Sequence, residues 1–331
     1  MTTGTVADFK SAVCFIMAAL CLSFIVSCAD AGESGAAAGG GDKAELPATG
    51  EVTLKFSGAN ALTFVYEQLA MGPRTSKDAK QLKLRDRLAE KLKALGFAVE
   101  IQQLAGTGGM GAGVNFYNVI ATFDSPVNPK YKIFGAHYDT IPIAPNDPDI
   151  SKRGTPIDGA NDGASGVAVL MELARAVSAK KSALKHSIKL IFFDGEDFYT
   201  GTDNMFYGSR YYAGKLSKAD IANIEYFVLL DMIGDADLNI YQDVNSLNAY
   251  PALTAKIFAA AERLGLKGFH ASPKYQIIDD HIPFINAGVP SAVLIDFDYP
   301  YWHTVSDTGD KVSAASLEQC GKLIEFLVFE N

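Results

Sequence analysis

Beyond residue 28 this 331-residue chain has a single cysteine, Cys320, and in all it has one tryptophan, Trp302. One thiol excludes an intrachain disulfide in that part, and it excludes the multi-cysteine zinc sites that hold small domains together. Positive charge is also scarce. There are 29 Lys and Arg against 38 Asp and Glu, a net charge of −9, and no basic cluster, which argues against a nucleic-acid-binding surface. The apolar run from Ser11 to Ser27 is too short, and too rich in Ala and Ser, for a membrane span. What is present is ordinary for a globular protein with a sizeable core: 48% hydrophobic and 20% charged residues, with no internal repeat.

Lys10 precedes that apolar run, so residues 1–27 read as a secretory signal. The run ends Phe24-Ile25-Val26-Ser27-Cys28, which resembles the lipobox of bacterial lipoproteins, where the cysteine is lipidated and becomes the first mature residue. That resemblance implies an exported bacterial lipoprotein, periplasmic or at the cell surface, anchored to the membrane through Cys28. The alternative is an ordinary signal peptide with an incidental Cys28. Cys14 and Cys21 would be discarded with the signal, and Cys320, on an apolar helical pattern, is expected to be a small buried hydrophobe. Residues 28–51, rich in Ala, Gly and acids, read as a flexible tether. Residues 52–331 read as one domain.

Within that domain, helical spacing covers Asn60 to Ala70, Asp78 to Leu95 (ended by Gly96), Gly163 to Ala176, Ala252 to Leu264 and Ala314 to Phe329. Strand-like runs cover Phe97 to Leu104, Phe116 to Phe123, Tyr131 to Ala136, Ser187 to Phe193, Ile224 to Leu230 and Ala292 to Ile295. A Gly-rich loop, Gly106 to Gly113, separates the first two strands. Solid Ile/Phe/Val/Leu strands alternating with amphipathic helices predict an α/β three-layer sandwich. Its central, mostly parallel, twisted sheet is flanked by helices. Ligands of such sheets bind outside the carboxyl ends of the strands.

The chemistry-bearing residues fall just there. His137-Tyr-Asp139 follows one strand, and Asp194-Gly-Glu196-Asp197 follows another. Gly159-Ala-Asn-Asp162-Gly precedes a helix, Asp231 ends a strand, and Trp302-His303 follows the last strand and a Tyr299-Pro300 loop. Oxygen and imidazole donors without cysteine suit zinc in an open, catalytic site. His137 and Asp139, two apart on extended chain, share a side, so the histidine could bind metal while the aspartate orients a ligand. Asp162 is either a helix N-cap or a ligand. Two adjacent acids after a buried strand need a cation or shared proton, so one of Glu196 and Asp197 could bind metal while the other moves protons. Asp279-Asp280, before His281, reads as a turn or helix start. His186 and His270 sit in polar, loop-like contexts.

The ordered set resembles the zinc-dependent aminopeptidase superfamily, peptidase family M28, and within it the animal-type glutaminyl-peptide cyclotransferases. The resemblance runs from about Phe64 to the C-terminus and includes Met71-Gly72-Pro73-Arg74 and Tyr207-Gly208-Ser209-Arg210. It implies a zinc ion held by Asp162, Asp197 and His303, with Glu196 transferring protons. In the two-zinc aminopeptidases of the family, the positions of His137 and Asp231 bind the second metal, and that of Asp162 bridges both. Those peptidases usually read Ser-Asp-His where this chain has Asp279-Asp280-His281, and the extra acid matches the cyclase pattern.

The cyclase reading gives one zinc and substrates that are peptides or proteins with N-terminal glutamine, cyclised to pyroglutamate with release of ammonia. Glu196, Asp279 and Asp231 form the catalytic network, and Trp302, Tyr299 and Ile277 enclose the glutamine side chain. The alternative is a two-zinc aminopeptidase that hydrolyses N-terminal residues. A non-catalytic peptide-binding lipoprotein is a third reading, set against by the retention of Glu196. The chain departs from the family in three places. Asp197 stands where both branches commonly have Glu, Thr202 replaces a pocket aromatic, and the loop Ile141 to Pro156 is long and polar.

Overall fold

The computed structural model describes residues 53–330. The expected signal segment 1–27, Cys28 and the tether over 28–51 lie outside the described residues. Ser57 accepts the Asn60 N–H to cap α1 (Gly58–Leu69), and Asp78 caps α2 (Ala79–Ala94) the same way. As expected, α2 stops at Gly96, whose φ of +90° no other residue adopts cheaply.

Strands β1 (Ala98–Ala105) and β2 (Asn115–Phe123) pair antiparallel at one edge of the sheet. They are followed by β3 (Tyr131–His137), helix α3 (Ala164–Ala179) and β4 (Ser187–Phe193). Helices α4 (Tyr207–Lys215) and α5 (Lys218–Ala222) lead to β5 (Ile224–Asp231). Strand β6 (Ile240–Gln242), helices α6 (Val244–Ala249) and α7 (Pro251–Arg263), strand β7 (Phe269–Pro273) and helix α8 (His281–Ala287) precede β8 (Ser291–Ile295) and the closing α9 (Ala314–Phe329). The main sheet has the order β1-β2-β4-β3-β5-β8. From β4 onward in that order every pairing is parallel, so the expected mostly parallel α/β sheet is what forms.

Successive strand residues point to opposite faces, and both faces are buried. Phe134, Leu190, Val228, Leu230 and Leu294 join one apolar cluster, covered by α1, α2, α3, α7 and α9. Ile133, Ile191, Phe193, Phe227, Leu229 and Val293 join another, covered by α4 and α8. Burial on both faces is why these strands read as unbroken apolar runs. Cys320 is fully buried on α9, as its pattern predicted.

Three short helices (α4, α5 and α6) and the small β6–β7 pair carry no periodic signal in the sequence, whereas α8 starts at His281, directly after the Asp279-Asp280 pair expected to be a turn or helix start. His270, expected in a polar loop, lies on β7, where its ring stacks on Tyr241 at 4.5 Å and bonds Asn239 at 3.0 Å. Among the described residues no helix is long and apolar enough to cross a membrane. The chain leaves β3 toward β4 on one side and leaves β5 toward β8 on the other. Connections therefore diverge above the β3–β5 pair, which is where a crevice opens in such sheets.

Candidate active site

That crevice gathers the acids and histidines. His137 ends β3, Asp231 ends β5, Glu196 and Asp197 follow β4, Asp162 precedes α3, and His303 follows β8. Ligand atoms of Asp162, Asp197 and His303 lie within 4.8 Å of one another, as do those of His137, Asp162 and Asp231. His303 Nε2 is 3.2 Å from Asp197 Oδ1 and 3.4 Å from Asp162 Oδ2. His137 Nε2 is 3.2 Å from Asp162 Oδ1 and 3.1 Å from Asp231 Oδ1, while its Nδ1 lies 3.6 Å from Glu196 Oε2. Asp162 thus faces both histidines. It is not the cap of α3: that position belongs to Gly163, and no side chain caps the helix. Gly163 has φ +93°, and a Cβ there would lie 2.9 Å from Asp139 O and 3.1 Å from His137 Cε1.

None of these six residues, nor Asp279, is more than 8% exposed. So many acids in a buried place coexist only with a shared cation or shared protons. Burial, then Asp197, pushes the Glu196 carboxyl well above its usual range. Burial, Asp231 and Asp280 do the same to Asp279, and burial with Asp197 lifts Asp162 to about 7. Burial works against a charged His137, but Glu196, Asp139, Asp162 and Asp231 raise its pKa well above the ordinary value. Burial alone would raise Asp197, yet His303 beside it holds that acid below the usual range. Asp162 Oδ2, Asp197 Oδ2 and His137 Nδ1 are buried without a hydrogen-bond partner. Unpartnered donor atoms converging with oxygen and imidazole chemistry fit a divalent ion such as zinc.

The sequence profile of peptidase family M28 matches residues 118–328. This chain belongs to peptidase family M28. It is 30% identical over 248 residues to a glutaminyl-peptide cyclotransferase of the snake Boiga irregularis, a match covering 65% of each chain; the chain thus spans about two-thirds of that relative's length, slightly less. Among solved structures, a Zn-dependent exopeptidase from Parabacteroides distasonis superposes with a TM-score of 0.79 at 31% identity, covering 85% of this chain and 100% of the other. A Bacteroides thetaiotaomicron glutaminyl cyclase, bound to N-acetylhistamine, gives 0.78 at 30% identity, covering 84% and 99%. The fold of this M28 chain is thus shared with both solved structures over more than four-fifths of its length.

The supports of the site are mostly residues to which the sequence assigned no such part. Asp139, expected to orient His137, sits 3.8 Å from its Nδ1. Its carboxylate also accepts the backbone N–H groups of Glu196 and Asp197 at 3.3 and 3.2 Å, so it holds the acid turn of this M28 chain. Ser76 Oγ bridges Asp139 and Asp194. Asp307 accepts the N–H groups of Asn161 and Asp162, and the Tyr299 hydroxyl donates to it at 2.6 Å. Arg74 donates to the carbonyls of Asp158 and Gly159, gripping the same loop from the other side. Tyr299 is therefore buried against the support of Asp162. Trp302 stacks on His303 at 4.3 Å and meets Phe297 at 5.1 Å, and Ile277 packs in the same apolar cluster. Asp279 and Asp280 stand at the start of α8, as the sequence predicts, with Asp280 at the N-cap position but no side chain capping the helix; Asp279 Oδ1 accepts the N–H of Asp280, and its Oδ2 is buried and unpartnered. Asp280 bonds Ser209 of α4, and His186 pairs with Glu225 away from the site.

Proposed function

We propose that this chain is a zinc-dependent glutaminyl-peptide cyclotransferase, converting the N-terminal glutamine of peptides or proteins to pyroglutamate with release of ammonia. Asp279 carries the reading. A further buried acid with an unpartnered oxygen, raised by Asp231 and in turn raising Glu196, suits a site whose acids are held together by shared protons. Beside a second metal it would have little to do. Similarity to the snake and Bacteroides cyclases supports the same activity.

Asp162, Asp197 and His303 would hold the zinc, which when bound supplies Lewis-acid polarisation of the γ-carboxamide. Glu196 takes a proton from the α-amine as its nitrogen bonds to the γ-carbonyl carbon. It then gives that proton to the amide nitrogen, whose bond to the same carbon breaks, so that ammonia leaves and the lactam closes. The raised pKa of Glu196 lets it keep the proton between the two transfers. Asp231 and Asp279 steady that proton by hydrogen bonding. Trp302 and Ile277, backed by Tyr299, form an apolar wall that keeps out water, the competing nucleophile.

The second reading is a two-zinc aminopeptidase. It is favoured by the convergence of His137, Asp162 and Asp231, with Glu196 then deprotonating the attacking water. Purified protein distinguishes the two. Robust ammonia release from a Gln-initiated peptide, no cleavage of a Leu-initiated one and about one zinc per chain are expected. Two zincs with Leu release would reverse the assignment. We also read the chain as an exported lipoprotein anchored through Cys28, and mass spectrometry of the membrane-extracted N-terminus should find a lipidated Cys28; an unmodified start elsewhere removes the anchor.

A further inference from the structure

His303 has φ +55°, a left-handed backbone that a non-glycine residue keeps only when its surroundings impose it. The other non-glycine residues of positive φ among those described are Lys77, Phe206 and Met232. Met232 follows Asp231, and the Phe206 N–H bonds Glu196 O, so strain concentrates at this site. The turn at His303 is closed by its own Thr304 N–H bond to Tyr301 O at 3.1 Å, and it is held from outside by the polar loop after β3. The Asn146 N–H donates to His303 O at 3.2 Å, and the Asn146 side-chain amide donates to Trp302 O at 3.4 Å. The Asp147 carboxylate, 2% exposed, spans the two segments: Oδ1 accepts the Asp149 N–H at 2.9 Å and Oδ2 the Val305 N–H at 3.0 Å. Ala144, Ile141 and Ile157 pack beneath the loop with Val305 at their edge, and the Arg153 guanidinium donates to Asp147 O.

We infer that Asp147 is a positioning residue: it braces the Trp302–Val305 turn so that the His303 imidazole and the Trp302 ring face the site together. The inference rests on the reading of His303 as a metal-binding residue. An acid fits this place because each oxygen accepts a separate backbone N–H, and no neutral side chain of the same size does both. Asparagine keeps one acceptor and turns an N–H₂ toward the other donor, so it should act as a partial loss. Alanine removes both bonds and frees the turn to relax toward ordinary φ values, which swings His303 away from Asp162 and Asp197.

The test measures the zinc dissociation constant by competition with a chromophoric chelator, together with kcat and KM for a Gln-initiated peptide at saturating zinc. Wild type, Asp147→Ala, Asp147→Asn, His303→Ala and Val177→Ala are compared. Val177→Ala, a core truncation at the far end of α3, controls for general loss of stability. We expect Asp147→Ala to weaken zinc binding by about 10- to 100-fold, with Asp147→Asn between it and wild type. At saturating zinc kcat should fall more than KM rises. If Asp147→Ala does not fold, the near-isosteric Asp147→Asn carries the test alone. Zinc constants within about twofold of wild type in both Asp147 variants would overturn the brace, as would an equal loss in Val177→Ala. Undiminished zinc binding in His303→Ala would instead overturn the ligand reading on which the brace depends.

Discussion

At the scale of single residues, the site is decided by which buried acids hold a metal and which hold a proton. Glu196 lies 3.6 Å from His137 and is raised by burial and by Asp197, the environment of a proton carrier. Glu196→Gln keeps the shape and the hydrogen-bonding capacity but cannot exchange a proton. Turnover should fall by about two to four orders of magnitude while metal analysis finds zinc unchanged; a parallel loss of zinc would make Glu196 a ligand instead. Four of the residues named from the sequence, His137, Glu196, Asp197 and Asp231, share one signal, a polar group where an apolar run stops, and the structure brings them into one crevice. Asp162 and His303 were found through glycine neighbours and an adjacent tryptophan. Asp307, Asp147 and Ser76 had no such mark. The partners that tie them to the site are backbone N–H groups or other acids far along the chain, 145 residues away for Asp307 and Asp162 and 158 for Asp147 and Val305. Every backbone amide offers the same donor, so such pairings leave no trace in composition or spacing.

At the scale of elements, the crevice depends on how closely α3 lies on the sheet. Gly166 makes that approach possible: a Cβ there would lie 2.4 Å from Leu230 O and 2.9 Å from the Ala136 Cβ. Gly166→Ala gains about 1 kcal/mol of helix propensity, but backbone cannot yield as a side-chain tip does, and overpacking of this kind costs about 1–3 kcal/mol. The contacts are short enough for the clash to prevail. Urea denaturation should therefore show a lowered midpoint, and because Leu230 and Ala136 directly precede Asp231 and His137, zinc binding should weaken with it. A midpoint at or above wild type would mean that α3 shifts without cost. Long elements were legible because their period repeats: β3, β4, β5 and α9 begin and end within about a residue of expectation, inside the usual boundary scatter. Helix α8 has seven residues and β6 three, too few for a period to emerge. Most of β7 faces solvent, so it carries no apolar signature at all.

At the scale of the molecule, acids crowd the carboxyl ends of the strands while the opposite end of β3 buries a cation. Lys132 lies five residues before His137, about 17 Å along an extended strand, so its titration is separate from the chemistry of the site. Its ammonium donates to Leu327 O at 2.8 Å and to Glu330 O at 3.4 Å, locking the end of α9 to the sheet. Tyr226 and Lys256 lie close by, with Glu225 and Glu330 as the nearby acids. Burial outweighs those acids and lowers the Lys132 pKa from 10.5 to about 8. Below pH 8 both folded and unfolded chains carry the proton, and the full cost of the buried charge is present. Between about pH 8 and 10.5 the unfolded chain binds a proton that the folded chain has released, so the contribution of Lys132 to stability rises with pH. The whole rise amounts to about 3 kcal/mol. The stability of wild type minus that of Lys132→Met, measured by urea denaturation at pH 7.5, 9 and 10.5, isolates this term, because the other titrating groups are common to both proteins. That difference should climb in favour of lysine across the series. A flat difference would mean that the ammonium keeps its ordinary pKa through contact with water, and a fall would mean that Glu225 and Glu330 hold the charge more strongly than burial opposes it.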